Sequence, residues 1–334
     1  MNVWKKVWPA CVTFTTLLWF VWALATSVPY RNGYSIPWNQ DQRTLLPPAD
    51  YSSVWFQPNI HNRDIAMAIL GALVALVLVY GLFYWLKRGS PVFLFMVLGA
   101  IGCSFTEPYN SLMVNLYYIR YQDWQAFEFL GRPMPLWLVL LYIVMYGTFG
   151  VVAYHMLSNG ATKKKLWTLY LIMGLVDAVL EIPLCNTPGL YVYYGNEMLM
   201  FKRYPVWMFA LNGVSMVAVA AMVVIVEKNI KRWWHWFIIP LLAPVMCIGT
   251  GYGIIIWPGE YMVNNFHFSP ALTTLGGVVA CMLCFTEIWA FSQILCTDGR
   301  FDFLTPIDEN SLLISKQSFR FTKQMQKEEA MFPR

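Results

Sequence analysis

Four acidic residues fall inside long apolar runs of this sequence: Glu107 in "GCSFTEPYNSL", Asp177 and Glu181 in "GLVDAVLEIPLCN", and Glu287 in "LCFTEIWAF". A carboxyl group surrounded by hydrocarbon is costly, so each is a candidate for function. Asp177 and Glu181 are four residues apart and share one helical face. Glu107 directly precedes Pro108, and Glu181 lies just before Pro183. Proline removes a backbone donor and disfavours helix at the residue before it, so a helix break is expected at each. Irregular backbone at membrane depth is tolerated where it is buried or lines a wet cavity. Two roles stay open. The acids either pair with cations at helix ends, Glu107 with Arg132 and Glu181 with Arg203, or stay neutral and donate a proton. Glu287 is expected to make a structural hydrogen bond between helices.

Helices of a membrane protein must position these groups. The chain of 334 residues is 58% hydrophobic and only 12% charged, with a mean hydropathy of +0.49. Runs of about 20 apolar residues are long enough to cross a hydrocarbon core. The expected fold is all-α, a polytopic transmembrane bundle of about eight spans: Trp8–Val28, Ile65–Trp85, Val92–Leu112, Leu136–Met156, Leu166–Cys185, Val206–Val226, Trp236–Trp257 and Ala271–Leu295. The bundle occupies 1–296, and the polar stretch 297–334 reads as a cytoplasmic tail. "Ala23-Leu24-Ala25" resembles a signal cleavage site, but the apolar run before it is long for a signal peptide. An uncleaved first helix is expected.

Sixteen of the 23 Lys and Arg residues cluster at one set of helix ends, including Lys87, Arg88 and Lys163–Lys165 in short connections. This bias places both termini in the cytoplasm. In that orientation Glu107 and Glu181 sit in the outer quarter of their spans and Asp177 slightly beyond the middle. All three can meet at one level, while Glu287 falls in the inner half. The net charge of +5 follows from the same bias, and no nucleic-acid partner is implied.

The connections on the other side are longer and rich in Pro, Tyr, Trp and Asn, as expected of lids at an aromatic interface. Two of them repeat. "TEPYNSLMVNLYY" followed by "FLGRPMPLW" parallels "LEIPLCNTPGLYVYY" followed by "FKRYPVWMF". Each runs from an acid through Pro, Asn and a Tyr pair to Phe, Arg, Pro and Trp at the next helix. "WPGEYMVNNFHFSPAL" echoes the pattern more faintly. Repeated helical hairpins are a natural origin for such a bundle. Asn110, Tyr109, Asn186, Arg132, Arg203 and Asn212 flank the acids and are the candidate substrate-binding residues, with Asn115, Tyr117 and Tyr191 as further donors.

Other signals argue against competing chemistries. The seven cysteines lie mostly inside predicted spans, as packed thiols would, and the Cys281/Cys284 pair has no second pair beside it. His61, His155, His235 and His267 are scattered without ligand spacing, so no metal site is expected. No nucleotide-binding or nucleophile-elbow motif occurs, no cofactor is expected, and the last span holds no lysine for a Schiff base.

"TEPYNSL" followed by "FLGRPMPLWLVLLY" resembles little-characterised polytopic membrane proteins of bacteria and fungi, akin in design to membrane-integral terpene cyclases of meroterpenoid pathways. The likeness covers one hairpin. It implies a metal-independent helical bundle in which an acid protonates an epoxide or olefin and aromatic faces stabilise the carbocation. By that likeness Glu107 is the general acid, with Asp177 and Glu181 tuning it or acting as final base on an apolar, isoprenoid-like substrate drawn from membrane lipid. A small-solute transporter and a structural subunit with an unknown protein partner are the alternatives.

Overall fold

A computed structural model describes residues 57–193, 197–265 and 268–299. The expected first span Trp8–Val28 and the tail beyond 299 lie outside the described residues. Six described helices are long and apolar enough to cross a membrane, and a bent pair makes a seventh. This is a multi-pass helical membrane protein.

α1 spans Ile60–Arg88; at about 1.5 Å per residue it is about 44 Å long. The Asn59 side chain caps its start by accepting from the Asn62 amide at 3.0 Å, and Gly89, at φ 74°, ends it in the left-handed conformation. α2 (Val92–Ser104) and α3 (Glu107–Met113) meet at a 48° bend. The cause is Pro108, which lacks the N–H that would bond the Ser104 carbonyl. Thr106 Oγ donates to the Cys103 carbonyl at 2.7 Å within the bend.

α4 covers Leu136–Ser158 and α5 covers Lys163–Cys185. The expected break at Pro183 does not occur: α5 runs through it and ends two residues later. Pro183 withholds one bond, the one to the Val179 carbonyl, and the helix stops before a second is lost. α6 covers Trp207–Lys228, α7 Trp233–Val263 and α8 Pro270–Leu295. Two spans contain wide π turns, Met145–Phe149 in α4 and Ile248–Ile256 in α7. Such turns are commonly found at functional sites.

Burial separates centre from rim. The apolar window of α6 is 83% buried, that of α1 only 17%. α6 is therefore the core helix, and α1 turns most of its apolar surface outward, as a lipid-facing helix does. α5 approaches α6 closely at glycine: a Cβ on Gly174 would stand 2.5 Å from the Phe209 carbonyl oxygen. Small residues allow this backbone approach between membrane helices.

Two of the long connections, 115–135 and 186–205, are ordered into strands. They carry six short strands: β1 (Leu116–Tyr118), β2 (Gln125–Phe129), β3 (Arg132–Pro135), β4 (Tyr191–Tyr193), β5 (Met200–Phe201) and β6 (Tyr204–Pro205). β2–β3 and β5–β6 are tight hairpins, and β1 pairs antiparallel with β4 in the register Leu116 with Tyr193, Tyr117 with Val192 and Tyr118 with Tyr191. The all-α expectation thus holds for the spans and not for this end of the molecule. β1 and β4 form strands because each finds its partner in the other repeat, whereas β2–β3 and β5–β6 pair within their own.

The register gives the sequence repeat a physical form. β1 from one repeat and β4 from the other pair with Tyr117 opposite Val192 at the centre. In each repeat a residue with positive φ, Trp124 or Leu199, accepts from the amide at the start of the next helix. The bonds are Leu136 N to Trp124 O at 2.8 Å and Val206 N to Leu199 O at 2.9 Å. Trp137 and Trp207 then open α4 and α6, both fully buried.

Candidate functional site

The two repeats enclose a cavity of about 770 Å³ of atom-free space, counted with its open mouth. α3 contributes Glu107, α5 contributes Asp177 and Glu181, and α6 contributes Asn212. Tyr118 and Tyr191 of the paired strands close one end, and Tyr142, Tyr146 and Tyr252 reach in from α4 and α7. Tyr146 and Tyr252 lie on the two π turns.

Glu107 is buried and held by three neutral donors, with a fourth hydroxyl, that of Ser111, close by. Tyr118 donates to Oε1 at 2.8 Å and Tyr142 donates to Oε2. Asn110 Nδ2 donates to Oε2 at 3.3 Å, and Ser111 Oγ reaches Oε1 at 3.3 Å while bonding the Glu107 carbonyl at 2.7 Å. The bend places this carboxyl on the first turn of α3, where it faces the cavity.

The second repeat holds two carboxyls in contact. Asp177 accepts from Asn212 Nδ2 at 3.0 Å and from Tyr204 OH at 3.4 Å. Glu181 Oε1 accepts from Tyr191 and Tyr193, each at 3.2 Å. Its Oε2 is buried and meets no hydroxyl or amide donor, and the Glu181 carboxyl is in contact with that of Asp177. Burial, and then the neighbouring carboxylate, pushes the hydroxyls of Tyr118, Tyr191 and Tyr193 well above the usual phenol range. These three strand tyrosines therefore keep their protons and act as donors.

The repeats use equivalent positions for these bonds. Tyr118 in β1 serves Glu107 as Tyr193 in β4 serves Glu181. Tyr142 of α4 and Asn212 of α6 stand at matching depth after the helix start, and each donates to an acid of the preceding helix.

Compared with known proteins, the chain matches no family model, no curated sequence and no solved structure.

The remaining expected residues divide. Asn110 and Asn212 belong to the cavity network. Tyr109 is 47% exposed and packs on Phe129, away from Glu107. Asn186 caps α5, donating to the Ile182 carbonyl at 2.8 Å. Arg132 is fully buried, donates to the Leu116 carbonyl at 3.1 Å and lies over the Tyr117 ring. Arg203 sits in the β5–β6 turn. The ion pairs among the described residues are Arg63 with Asp64 and Asp123, and Arg120 with Glu128. The expected Glu107–Arg132 and Glu181–Arg203 pairs are replaced by tyrosine hydroxyls. Tyrosines on strands and on α4 can enter the bundle, whereas both arginines are held at the hairpins.

Glu287 does not line the cavity; its Oε2 is buried, and no interhelical bond from it occurs among the described residues. Six cysteines are described, all buried and free. Among the described residues no group of three or more His, Cys, Asp or Glu could hold a metal ion.

Tyr142, Tyr146, Tyr193, Tyr204 and Tyr252 were not foreseen. Tyr142 and Tyr146 carry a visible signal, since spacing by four puts both on one helical face. Tyr118 was masked by its neighbour: side chains alternate along a strand, so Tyr117 points into a separate small cluster with Ile119, Tyr121 and Val192.

Proposed function

We propose that this protein is a membrane-embedded enzyme that starts cyclisation or isomerisation of an apolar, isoprenoid-like substrate by proton transfer. The observation that carries the reading is the convergence of three carboxyls from two repeated hairpins on one aromatic-walled cavity. The donor sets favour a division of roles. Two carboxyls side by side hold a proton between them, so the Asp177–Glu181 pair is the proton donor. Glu107, with three donors on its two oxygens, is the anionic pole that steadies the cation and takes up the final proton. This reverses the assignment suggested by the likeness to terpene cyclases.

The substrate would enter from lipid, and an epoxide oxygen or olefin carbon would receive the proton from the pair. Trp137, Tyr118 and Tyr142 offer faces to the positive charge that follows. Loss of a proton to Glu107 closes the cycle once it is relayed back to the pair. The basic helix ends support an orientation with this cavity toward the non-cytoplasmic side and both termini in the cytoplasm.

The test is conversion of epoxidised polyprenyl substrates by the purified protein in lipid nanodiscs. Cyclised or isomerised product that disappears in Glu181→Gln is the expected result. Flux of an unmodified solute with no product would establish a carrier instead.

A further inference from the structure

The cavity wall is charged on one side only. Among the described residues lining it are three carboxyls and no lysine, arginine or histidine. No cation among the described lining residues stands beside these carboxyls. Neutral hydroxyl and amide donors satisfy Glu107, yet Glu181 Oε2 has none. Around the acids the rings are close: Tyr118 lies 5.7 Å from Trp137 and 5.7 Å from Tyr191, and Tyr142 stacks on Tyr146 at 5.9 Å. Carboxylates combined with aromatic faces are the recognition chemistry of organic ammonium ions.

We infer that the cavity binds lipophilic tertiary ammonium cations, with the charged nitrogen at the Asp177–Glu181 pair and the alkyl chain against the aromatic wall. The inference deepens the proposed function, on which it rests for its account of why the wall carries this charge, since a stable ammonium occupies the place of the transient cation. It excludes phosphorylated lipids as ligands, because an anionic head would meet three acids and no counter-charge. The binding itself requires no turnover.

The experiment titrates the full-length protein in nanodiscs with N,N-dimethyloctylamine at neutral pH, where an alkylamine is a cation. Parallel titrations use 2-methyldecane, its uncharged carbon isostere, and octyl phosphate, each corrected for partition into empty nanodiscs. The amine should bind at least about tenfold more tightly than the hydrocarbon, and octyl phosphate should not compete. The double variant Asp177→Asn, Glu181→Gln should lose at least about tenfold in amine affinity, while Glu287→Gln, outside the cavity, should keep it. Equal affinity for amine and hydrocarbon overturns the inference, as does an unchanged affinity in a folded double variant. If the double variant does not fold, Glu107→Gln is titrated instead and should weaken the amine several-fold, and an unchanged affinity there also overturns it. Preferred amine binding without product formation would sink the catalytic reading and leave this one standing; product formation without amine preference would do the reverse.

Discussion

The hairpins 92–158 and 163–228 are built to one plan and finished differently. In both, a helix carrying an acid leads to a Tyr-bearing strand, a tight β-hairpin and a helix opened by a buried Trp. The first ends with one carboxyl served on both oxygens by three neutral donors. The second ends with two carboxyls in contact and an oxygen, Glu181 Oε2, that no hydroxyl or amide serves. The contrast separates two tasks that one repeated scaffold can hold: keeping a charge in place, and keeping a proton available. The proline positions follow the same logic. Pro108 bends its span by 48° and swings Glu107 into the cavity, whereas Pro183 leaves α5 intact, so Asp177 and Glu181 stay one helical turn apart.

The largest test of that contrast is to remove the proton. Glu181→Gln should lower turnover at least about 100-fold, the usual scale for a positioned general acid. Steady-state rates in nanodiscs will show it. Asp177→Asn should cost nearly as much, because the two carboxyls act as a unit.

Next come the matched donors. Tyr142→Phe removes a bond to Glu107 and should slow turnover about tenfold, the scale of about 1.4 kcal/mol for a hydrogen bond to a charged group. Asn212→Leu should cost less, because Tyr204 still serves Asp177. A larger effect at Asn212 than at Tyr142 would undo the assignment of poles.

Packing offers a stability version of the same comparison. Gly99 and Gly174 stand the same distance ahead of β1 and β4. A Cβ at Gly174 meets backbone, the Phe209 carbonyl oxygen at 2.5 Å, while one at Gly99 meets the Ala243 Cβ at 3.0 Å. Gly174→Ala should therefore destabilise by about 1–3 kcal/mol and Gly99→Ala by less, read by thermal unfolding in nanodiscs.

The smallest effects are expected outside the cavity. Tyr109→Phe and Glu287→Gln should leave turnover within about twofold, as changes away from a site do. A large loss in either would move the boundary of the site.

Much of this was legible in the sequence. Seven apolar runs became spans or parts of spans, because burial in lipid demands long uninterrupted hydrophobicity. The three acids were found for the converse reason, since a carboxyl in such a run has to be accounted for. The repeat was visible in the order of acid, Pro, Tyr pair and Trp. Strand pairing was not, because β1 has no partner until β4 arrives some 70 residues later. The π turns leave no mark in composition, so Tyr252 looked like one more aromatic in an apolar helix. The expected ion pairs with Arg132 and Arg203 rested on nearness along the chain; the β-hairpins hold those residues instead.

The claim that both hairpins serve one reaction is tested most directly by a double-mutant cycle. Turnover of an epoxidised polyprenyl substrate is measured for wild type, Glu107→Gln, Glu181→Gln and the double variant, all in nanodiscs. The account predicts that the double variant is about as slow as the slower single variant, because the two poles act on the same charge. Losses that multiply, or a wild type that makes no product, would contradict it.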